Sequence, residues 1–297
     1  MKNAFFTIIL CFISFISTAQ ITAIIKNPTD QKPIPYVNIW VENENIGVTA
    51  DENGMFTIAA PANSKLVFNA LGYDDKTMEA SKIEGIVYLI PKVFELKEVV
   101  VSSAKKTIEN KVGIFISKGI NSYYGSSDNS PYLVARYFPN DENTLKTPFI
   151  KSIIPFCNSD IKDAKFKVRI FEADNNREPK DEMINQEIIV SVRKGKSKPI
   201  IDMTKYNLKF PENGLYVGFE FMRIESNKYS HIVTRSETNK KEIHISLEPA
   251  FGTIQGQSVE NEIWRFSKNK WINNKWADRE QAKKARDLLA IELTLTN

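Results

Sequence analysis

Histidine and cysteine, which most often bind zinc or act as nucleophiles and bases, are scarce in this sequence. The 297 residues include two His and two Cys, which leaves little for a zinc site built from imidazole and thiolate groups. Neither His231 nor His244 starts a His-x-x-Glu segment, and the chain contains no Gly-x-Ser-x-Gly segment. On a strand, His244 would lie on a polar face, where a solvent-exposed histidine is more common than a metal ligand. The sequence therefore predicts no catalytic residue and no cofactor, and the protein is expected not to be an enzyme.

Acidic residues are plentiful and leave two possibilities open. A pair of carboxylates could hydrolyse glycosidic bonds, but 36 Asp and Glu residues provide many pairs whose separation a sequence does not reveal. The acid-rich stretches 140–143 and 172–176 offer the oxygen ligands of a structural calcium ion. The segment 51–54 is instead predicted to be a turn, because Ala62 stands where a calcium-binding EF-hand loop needs its twelfth-position glutamate.

Three of the four tryptophans lie close together near the C-terminal end of the chain, at Trp264, Trp271 and Trp276. An indole offers a flat apolar face and an edge donor, so these three residues are the possible ligand contacts, with a glycan as one ligand. Trp271 and Trp276 flank residues 272–275, which are predicted to form a turn. The alternative is that the indoles cap the hydrophobic core.

The charge balance argues against nucleic acid as a partner. Forty Lys and Arg against 36 Asp and Glu give a formal charge of +4, which is too small to imply a nucleic-acid-binding protein. The basic residues of segment 193–198 are predicted to form a solvated hairpin tip, and contact with an anionic glycan, lipid headgroup or polymer is the alternative. A glycan or another protein of the cell envelope is the expected partner.

The N-terminal residues predict export. Lys2 precedes an almost uninterrupted apolar run at 4–16 and a small-residue exit at 17–19, a pattern typical of a secretory signal peptide covering residues 1–19. A membrane anchor would need about 20 apolar residues, and Cys11 lies too early for a lipidated cysteine. The expected location is the periplasm, the outer-membrane surface or the extracellular space. Removal of residues 1–19 leaves Cys157, a predicted buried thiol, as the one cysteine.

Residues 20–103 are predicted to form a small β-sandwich. Short β-type runs recur about every ten residues between Asn, Gly, Pro and Asp, and helical periodicity is lacking. Within these runs Val37, Ile39 and Phe56 are predicted to be buried.

The motifs of this region resemble those of a known family. PIPYVNI at 33–39, GVTADENGMF at 47–56 and ALGY at 70–73 resemble, in order, the carboxypeptidase regulatory-like domain, and LKEVVV at 96–101 resembles its closing strand. The resemblance implies a transthyretin-like Greek-key sandwich and a place in secreted or outer-membrane proteins of Bacteroidetes. It implies no peptidase activity, because this module accompanies the catalytic domain of the enzymes and lacks their zinc ligands.

Residues 104–109 are predicted to be a linker and residues 110–297 a second, larger β domain. Several runs alternate between apolar and polar residues, as in antiparallel sheets with one buried face. Phe166, Val168, Val217 and Phe219 are predicted to be buried. Lys165, Lys167 and Arg169 are predicted to be exposed, and a short helix is expected at 278–286.

The second region also resembles extracellular jelly-roll modules of bacteria, in segments such as VARYFP at 134–139 and FPENGLYVGFE at 210–220. The predicted fold class is thus all-β, with a transthyretin-like sandwich followed by a jelly-roll-like one. Two such domains without a chemical constellation predict a non-catalytic binding or assembly protein with its recognition surface on the second domain. A glycan-active hydrolase and a structural accessory of an outer-membrane transporter remain the alternatives.

Overall fold

The computed structural model describes residues 18–44, 46–92, 108–120, 122–127, 132–234, 240–256, 263–267, 270–273 and 286–297. The chain divides into two compact units between Lys92 and Val93. Nearly all regular structure in the described residues is β, and their single α-helix is α1, Glu142–Lys146. The all-β class predicted from the sequence is confirmed.

The first unit is a β-sandwich of two sheets. One sheet has the order β4-β1-β7 and the other the order β3-β2-β5-β6, and a single apolar core draws residues from both. Val37, Ile39 and Phe56 are buried in this core, as predicted. Its strands are β1 (Thr18–Lys26), β2 (Asn38–Val41), β3 (Gly47–Thr49), β4 (Met55–Pro61), β5 (Lys65–Asn69), β6 (Lys76–Glu79) and β7 (Ile86–Tyr88).

The segment 51–54 forms the predicted turn between β3 and β4. The Asp51 carboxylate accepts hydrogen bonds from the backbone N–H groups of Asn53 and Met55, at 2.9 and 2.8 Å. Gly54 has a φ of +72°, and a Cβ atom there would lie 2.8 Å from the backbone oxygen of Ile25. Glycine is therefore required both for the turn and for the close approach of β1.

The second unit contains one short α-helix, three single-turn 3-10 helices and seventeen strands among its described residues. Its strands are β8 (Glu109–Val112), β9 (Ser122–Ser127), β10 (Tyr132–Phe138), β11 (Phe149–Pro155), β12 (Cys157–Ser159), β13 (Ala164–Ala173), β14 (Pro179–Glu182), β15 (Ile188–Val192), β16 (Gly195–Ser197), β17 (Ile201–Asp202), β18 (Leu215–Phe221), β19 (Lys228–Thr234), β20 (Lys241–Gly256), β21 (Ile263–Ser267), β22 (Lys270–Asn273), β23 (Arg286–Leu289) and β24 (Ile291–Thr296).

These strands form two layers around one large core. The seven-stranded sheet has the order β14-β13-β18-β10-β21-β22, with β15 also paired to β13. A six-stranded sheet (β16-β12-β20-β19, with β9 and β23 on β20) meets a four-stranded sheet (β17-β11-β24-β8) at Phe156 and Ala290. There the Phe156 N–H donates to the Ala290 carbonyl at 2.9 Å, and the Ala290 N–H donates to Gly252 at 2.9 Å. The core contains side chains from all three sheets, so the second unit is also a β-sandwich.

The predicted buried residues of this unit are buried, but the predicted exposed ones are not. Phe166, Val168, Val217 and Phe219 are at most 2% exposed. The prediction that Lys167 is exposed is wrong, because its side chain is 0% exposed. Lys165 and Arg169, its neighbours on the same face of β13, are partly buried. Both faces of β13 are covered, and simple alternation of apolar and polar residues does not reveal this.

Two predicted turns take another form. Residues 272 and 273 belong to β22 rather than to a turn. The basic segment 193–198 is no hairpin tip, because β15 pairs with β13 and β16 pairs with β12. The chain therefore passes there from one sheet to another.

Several predictions fall on residues outside the described ranges. These are the closing strand at 96–101, most of the linker at 104–109 and nearly all of the helix at 278–286. Cleavage of residues 1–19 would shorten β1 by two residues. Among the described residues, no helix has the length and apolar character that a membrane crossing requires.

Candidate functional site

Trp264 and Trp271 lie on the face of the seven-stranded sheet that is turned away from the main core. Trp264 on β21 pairs with Ala135 on β10, and Phe266 pairs with both Leu133 on β10 and Trp271 on β22. We call the apolar residues of this face the aromatic cluster. Its members are Leu133, Ala135, Tyr137, Phe171, Ala173, Tyr216 and Trp264, with Phe266 and Trp271 packed against them.

The aromatic cluster forms because the sheet curls. Trp271 on β22 packs edge-on against Phe171 on β13, with ring centroids 5.0 Å apart. These strands are four positions apart in the sheet, which would separate them by about 19 Å in a flat sheet. Two aromatic side chains cannot span that distance, so the hairpin of β21 and β22 must fold back toward β13. Trp271 also contacts Phe266 at 5.3 Å.

The small residues at the centre of this face allow close packing. Gly218 on β18 pairs with Ala135 on one side and with Arg169 on the other. A Cβ atom at residue 218 would lie 3.2 Å from the Ala135 Cβ atom and 3.2 Å from a methyl group of Leu133. A larger residue would therefore push the strands or their side chains apart.

Of the three candidate tryptophans, Trp264 and Trp271 are described, and both pack within the protein. Trp264 is 7% exposed and lies edge-on to Tyr216, with ring centroids 6.5 Å apart. Trp271 is half-buried, so its indole has the larger accessible part. Trp276 lies outside the described residues. The contact of these three residues with a ligand stays a prediction, and among the two described indoles the accessible surface is mainly that of Trp271.

Next to the aromatic cluster lies a group of charged residues that the sequence did not reveal. We call Lys167, Arg169, Glu182, Glu187 and Glu220 the ion cluster. The Lys167 Nζ atom lies 3.0 Å from the Glu187 carboxylate and 3.4 Å from that of Glu220. The Arg169 guanidinium donates two hydrogen bonds to Glu182 and one to Glu220. Three carboxylates thus share two cations, and all are largely shielded from water.

Within the ion cluster, burial and the neighbouring opposite charges shift the pKa values in opposite directions. Burial raises the pKa of Glu182 above its ordinary value, and Arg169 offsets this only in part. Burial alone would lower the pKa of Lys167, but Glu187 and Glu220 raise it above the ordinary lysine value. Each carboxylate contacts a cation, whereas a catalytic acid or base must face its substrate. The geometry is that of an ion-pair network that joins β13, β14 and β18.

The acid-rich stretches proposed as calcium loops use their carboxylates to bind backbone groups. Asp141 and Thr144 cap α1, with the Thr144 N–H donating to Asp141 at 3.0 Å. The Asp174 carboxylate accepts the N–H groups of Asn176 and Glu178, both at 2.8 Å. Within the described ranges, no group of three or more His, Cys, Asp and Glu residues is arranged to hold a metal ion. A structural calcium ion stays a prediction.

Two exposed isoleucines of the second unit face each other across the antiparallel strands β19 and β20. We call Lys228–Thr234 of β19 and residues 241–245 of β20 the arm. Ile232 and Ile243 pair directly across the two strands and are 67% and 77% exposed. The other face of the arm carries Tyr229, His231 and His244. Strand periodicity predicts a solvent-facing His244, which is exposed, but its partner strand could not be predicted.

The two histidines of the chain are cross-strand partners in the arm. His231 pairs with His244, and their ring centroids are 5.1 Å apart at an interplanar angle of 55°. Tyr229 stacks on His231 at 5.6 Å. Further along β20, burial raises the pKa of Glu248, and the hydrogen bond from the Asp160 N–H and, to a smaller extent, His231 counteract part of that shift.

Cys157, the remaining candidate nucleophile, is buried and forms no disulfide. Burial raises the pKa of its thiol well above the ordinary value. The thiolate needed for nucleophilic attack or metal binding is therefore disfavoured, as the sequence predicted.

Comparison with known proteins identifies the first unit alone. No curated protein matches this chain. One matching solved structure is described as the structure of infectious bursal disease virus Gx strain, with 7% identity and a TM-score of 0.27 over 95% of this chain and 60% of the viral chain. Residues 23–101 match a family model described as the CarboxypepD_reg-like domain. The first unit therefore carries a CarboxypepD_reg-like domain, which is a general non-catalytic β domain.

Proposed function

We propose that this protein is an exported, non-catalytic binding or assembly protein of the cell envelope, and that the arm of its second unit recognises a protein partner. The observation that carries the proposal is the exposure of Ile232 and Ile243, which face each other on the same side of the arm. Paired exposed apolar side chains indicate an interaction site, whereas isolated ones are common on any surface.

The occupant that best fits the arm is an extended segment of a partner protein, added as a further strand. Within the described residues, β19 is the last strand in the order of its sheet, and it pairs with β20 over seven consecutive residues without a bulge. Its sequence lacks proline, and its one charged side chain, Lys228, lies at its first position and pairs with Glu225. Natural edge strands are usually protected by charges, prolines or bulges. An unprotected edge favours strand addition.

The side chains around the apolar pair set the chemistry of the partner. Lys241 and Ile245 lie on the same face as Ile243, two residues away on either side. An incoming strand with apolar residues at alternate positions would cover the isoleucines. An acidic residue near its end would complement Lys241.

The hydrolase alternative has less support. The carboxylates of the ion cluster lie beside the aromatic cluster, and each of them contacts Lys167 or Arg169. Export rests on the N-terminal sequence pattern and on the cell-envelope proteins that carry the regulatory-like domain. Cell fractionation tests it, and a cytoplasmic protein that retains residues 1–19 would contradict it.

Site-specific photocrosslinking tests recognition through the arm. A photoreactive residue at position 232 should link to one envelope protein, while the same residue at position 200 should not. Ile200 is the matched control, because it is 74% exposed but lies outside the arm. Ile243→Lys should abolish the crosslink from position 232, and Ile200→Lys should leave it unchanged. Equal crosslinking from both positions, or none from either, would contradict the proposal.

A glycan array separates protein recognition from sugar recognition. We expect the wild-type protein and Trp271→Ala to give the same signals. Binding of a glycan that Trp271→Ala abolishes would move the recognition surface from the arm to the aromatic cluster. Release of shortened sugars from the array would instead favour the hydrolase.

A further inference from the structure

The fold brings together all the imidazole groups of this chain. The sequence contains two histidines among 297 residues, thirteen positions apart at His231 and His244. Antiparallel pairing of β19 and β20 places them directly opposite each other, with ring centroids 5.1 Å apart. His244 is exposed and His231 is half-buried.

The ring separation suits a metal ion held by both imidazoles. A zinc–nitrogen bond measures about 2.0–2.1 Å, and the ring centre lies about 1.1 Å beyond the nitrogen, so each ring centre lies about 3.2 Å from the metal. Two such rings at a tetrahedral angle have centres roughly 5.2 Å apart. The observed distance is 5.1 Å. The arm thus holds the rings at the right separation before any metal ion arrives.

The surroundings of the pair favour a bound cation. Tyr229 stacks on His231 at an interplanar angle of 19° and thereby fixes the orientation of its ring. The Nδ1 atom of His231 is buried, and no described group forms a hydrogen bond with it. The Glu248 carboxylate lies close enough to His231 for their charges to interact. An imidazole nitrogen that forms no hydrogen bond is available as a ligand, and a nearby carboxylate attracts a cation.

We propose that His231 and His244 chelate one divalent transition-metal ion, such as zinc(II) or copper(II). Imidazole nitrogen suits both metals, and copper(II) stands above zinc(II) in the general order of affinities. Two protein ligands leave the remaining coordination positions to water or to a carboxylate of a partner. The site is separate from the apolar face of the arm, because Ile232 and Ile243 point to the opposite side of the strands.

Copper titration of the full chain without a histidine tag tests the site. Calorimetry should show one copper(II) ion bound per chain, and electron paramagnetic resonance should show two imidazole nitrogens on the metal. His231→Ala and His244→Ala should each weaken binding by at least roughly a hundredfold. Ser230→Ala is the matched control, because it changes the exposed neighbour of His231 on the opposite face of β19, and it should bind copper like the wild type. Circular dichroism should show that each variant is folded.

Three outcomes would overturn the proposal. These are the lack of saturable binding near one equivalent, a resonance spectrum with a single imidazole nitrogen, and copper binding that survives in the His231→Ala/His244→Ala double variant. The last outcome would place the metal elsewhere, for example at the N-terminal amine. If a variant fails to fold, nuclear magnetic resonance of the wild type decides instead. Substoichiometric copper should broaden the signals of both imidazole rings together, and unequal broadening would contradict joint chelation.

Discussion

Replacement of Lys167 by methionine should destabilise the second unit although it removes a polar group from the interior. Lys167 is 0% exposed and contacts Glu187 at 3.0 Å and Glu220 at 3.4 Å. Methionine fills a similar volume, so the change removes the charge and leaves the packing largely intact. Glu187 and Glu220 then keep their negative charges in a shielded position with one cation fewer.

The expected loss in the free energy of unfolding depends on which ion pairs Glu187 and Glu220 keep. Removal of one partner from a buried ion pair costs about 3–5 kcal/mol. Glu220 keeps its bond to Arg169, which places the expected loss near the lower value, at about 3 kcal/mol. For a unit of this size that corresponds to a fall in melting temperature of roughly 6–12 °C. Lys165→Met is the matched control on the same face of β13, and we expect a change within about 0.5 kcal/mol.

Urea unfolding followed by tryptophan fluorescence measures these differences. Trp264 and Trp271 report on the second unit, and Trp40 reports on the first, so two transitions must be fitted separately. Addition of Glu187→Gln to Lys167→Met should restore part of the lost stability, because it neutralises a carboxylate that has lost its cation. Equal midpoints for Lys167→Met and Lys165→Met would refute the reasoning.

The ion cluster also predicts the alkaline dependence of stability. The pKa of Lys167 is raised in the folded protein, so above the ordinary lysine value of 10.5 the folded state binds more protons than the unfolded state. Stability therefore falls as pH rises from that value through the folded pKa. The alkaline fall should be steeper for the wild type than for Lys167→Met. Parallel pH profiles would show that Lys167 is not stabilised as a cation.

Three further predictions test the core and the aromatic cluster. Phe219→Ala should cost about 3–5 kcal/mol in urea unfolding, because Phe219 is fully buried and stacks on Phe251 at 4.6 Å; an unchanged midpoint would mean that the strand faces are misassigned. Cys157 should react with an aromatic disulfide reagent only as fast as the unit unfolds, and rapid modification of the native protein would show an accessible thiol. Trp271→Ala should lower the free energy of unfolding by about 2 kcal/mol, roughly half the cost for a fully buried aromatic residue. No loss of stability would mean that this indole does not contribute to packing, which would favour a role in ligand binding.

Much of the fold could be predicted because side chains on a β-strand alternate between the two faces, so a strand with one buried face has an apolar residue at every second position. Val37, Ile39 and Phe56 in the first unit, and Phe166 and Val168 in the second, lie on the faces that alternation indicates. The turn at 51–54 was recognised for a similar reason, since Asp and Gly act there through local backbone chemistry. These features depend on a few neighbouring residues, which a sequence displays directly.

The ion cluster could not be predicted because it depends on which strands lie side by side. Lys167 alternates with apolar residues, as a solvent-facing lysine would. Its partner Glu220 is 53 positions away on β18 and reaches it through sheet pairing. Alternation tells which side of a strand a residue occupies, but it does not tell whether that side is covered.

The histidine pair could not be predicted for the same reason, because it too depends on which strands pair. Alone, His244 fits a solvent-facing residue on a charged strand, and that interpretation is correct for its exposure. The proposed metal site depends on the register of β19 and β20. A shift of one residue between these strands would place His231 opposite Ile243 or Ile245 and move the two imidazole rings to opposite faces. The register of a hairpin is set by its turn, and here also by the pairing of β20 with β9 beyond the arm. The register that pairs His231 with His244 also pairs Ile232 with Ile243, so one alignment of two strands creates both the proposed metal site and the proposed docking face.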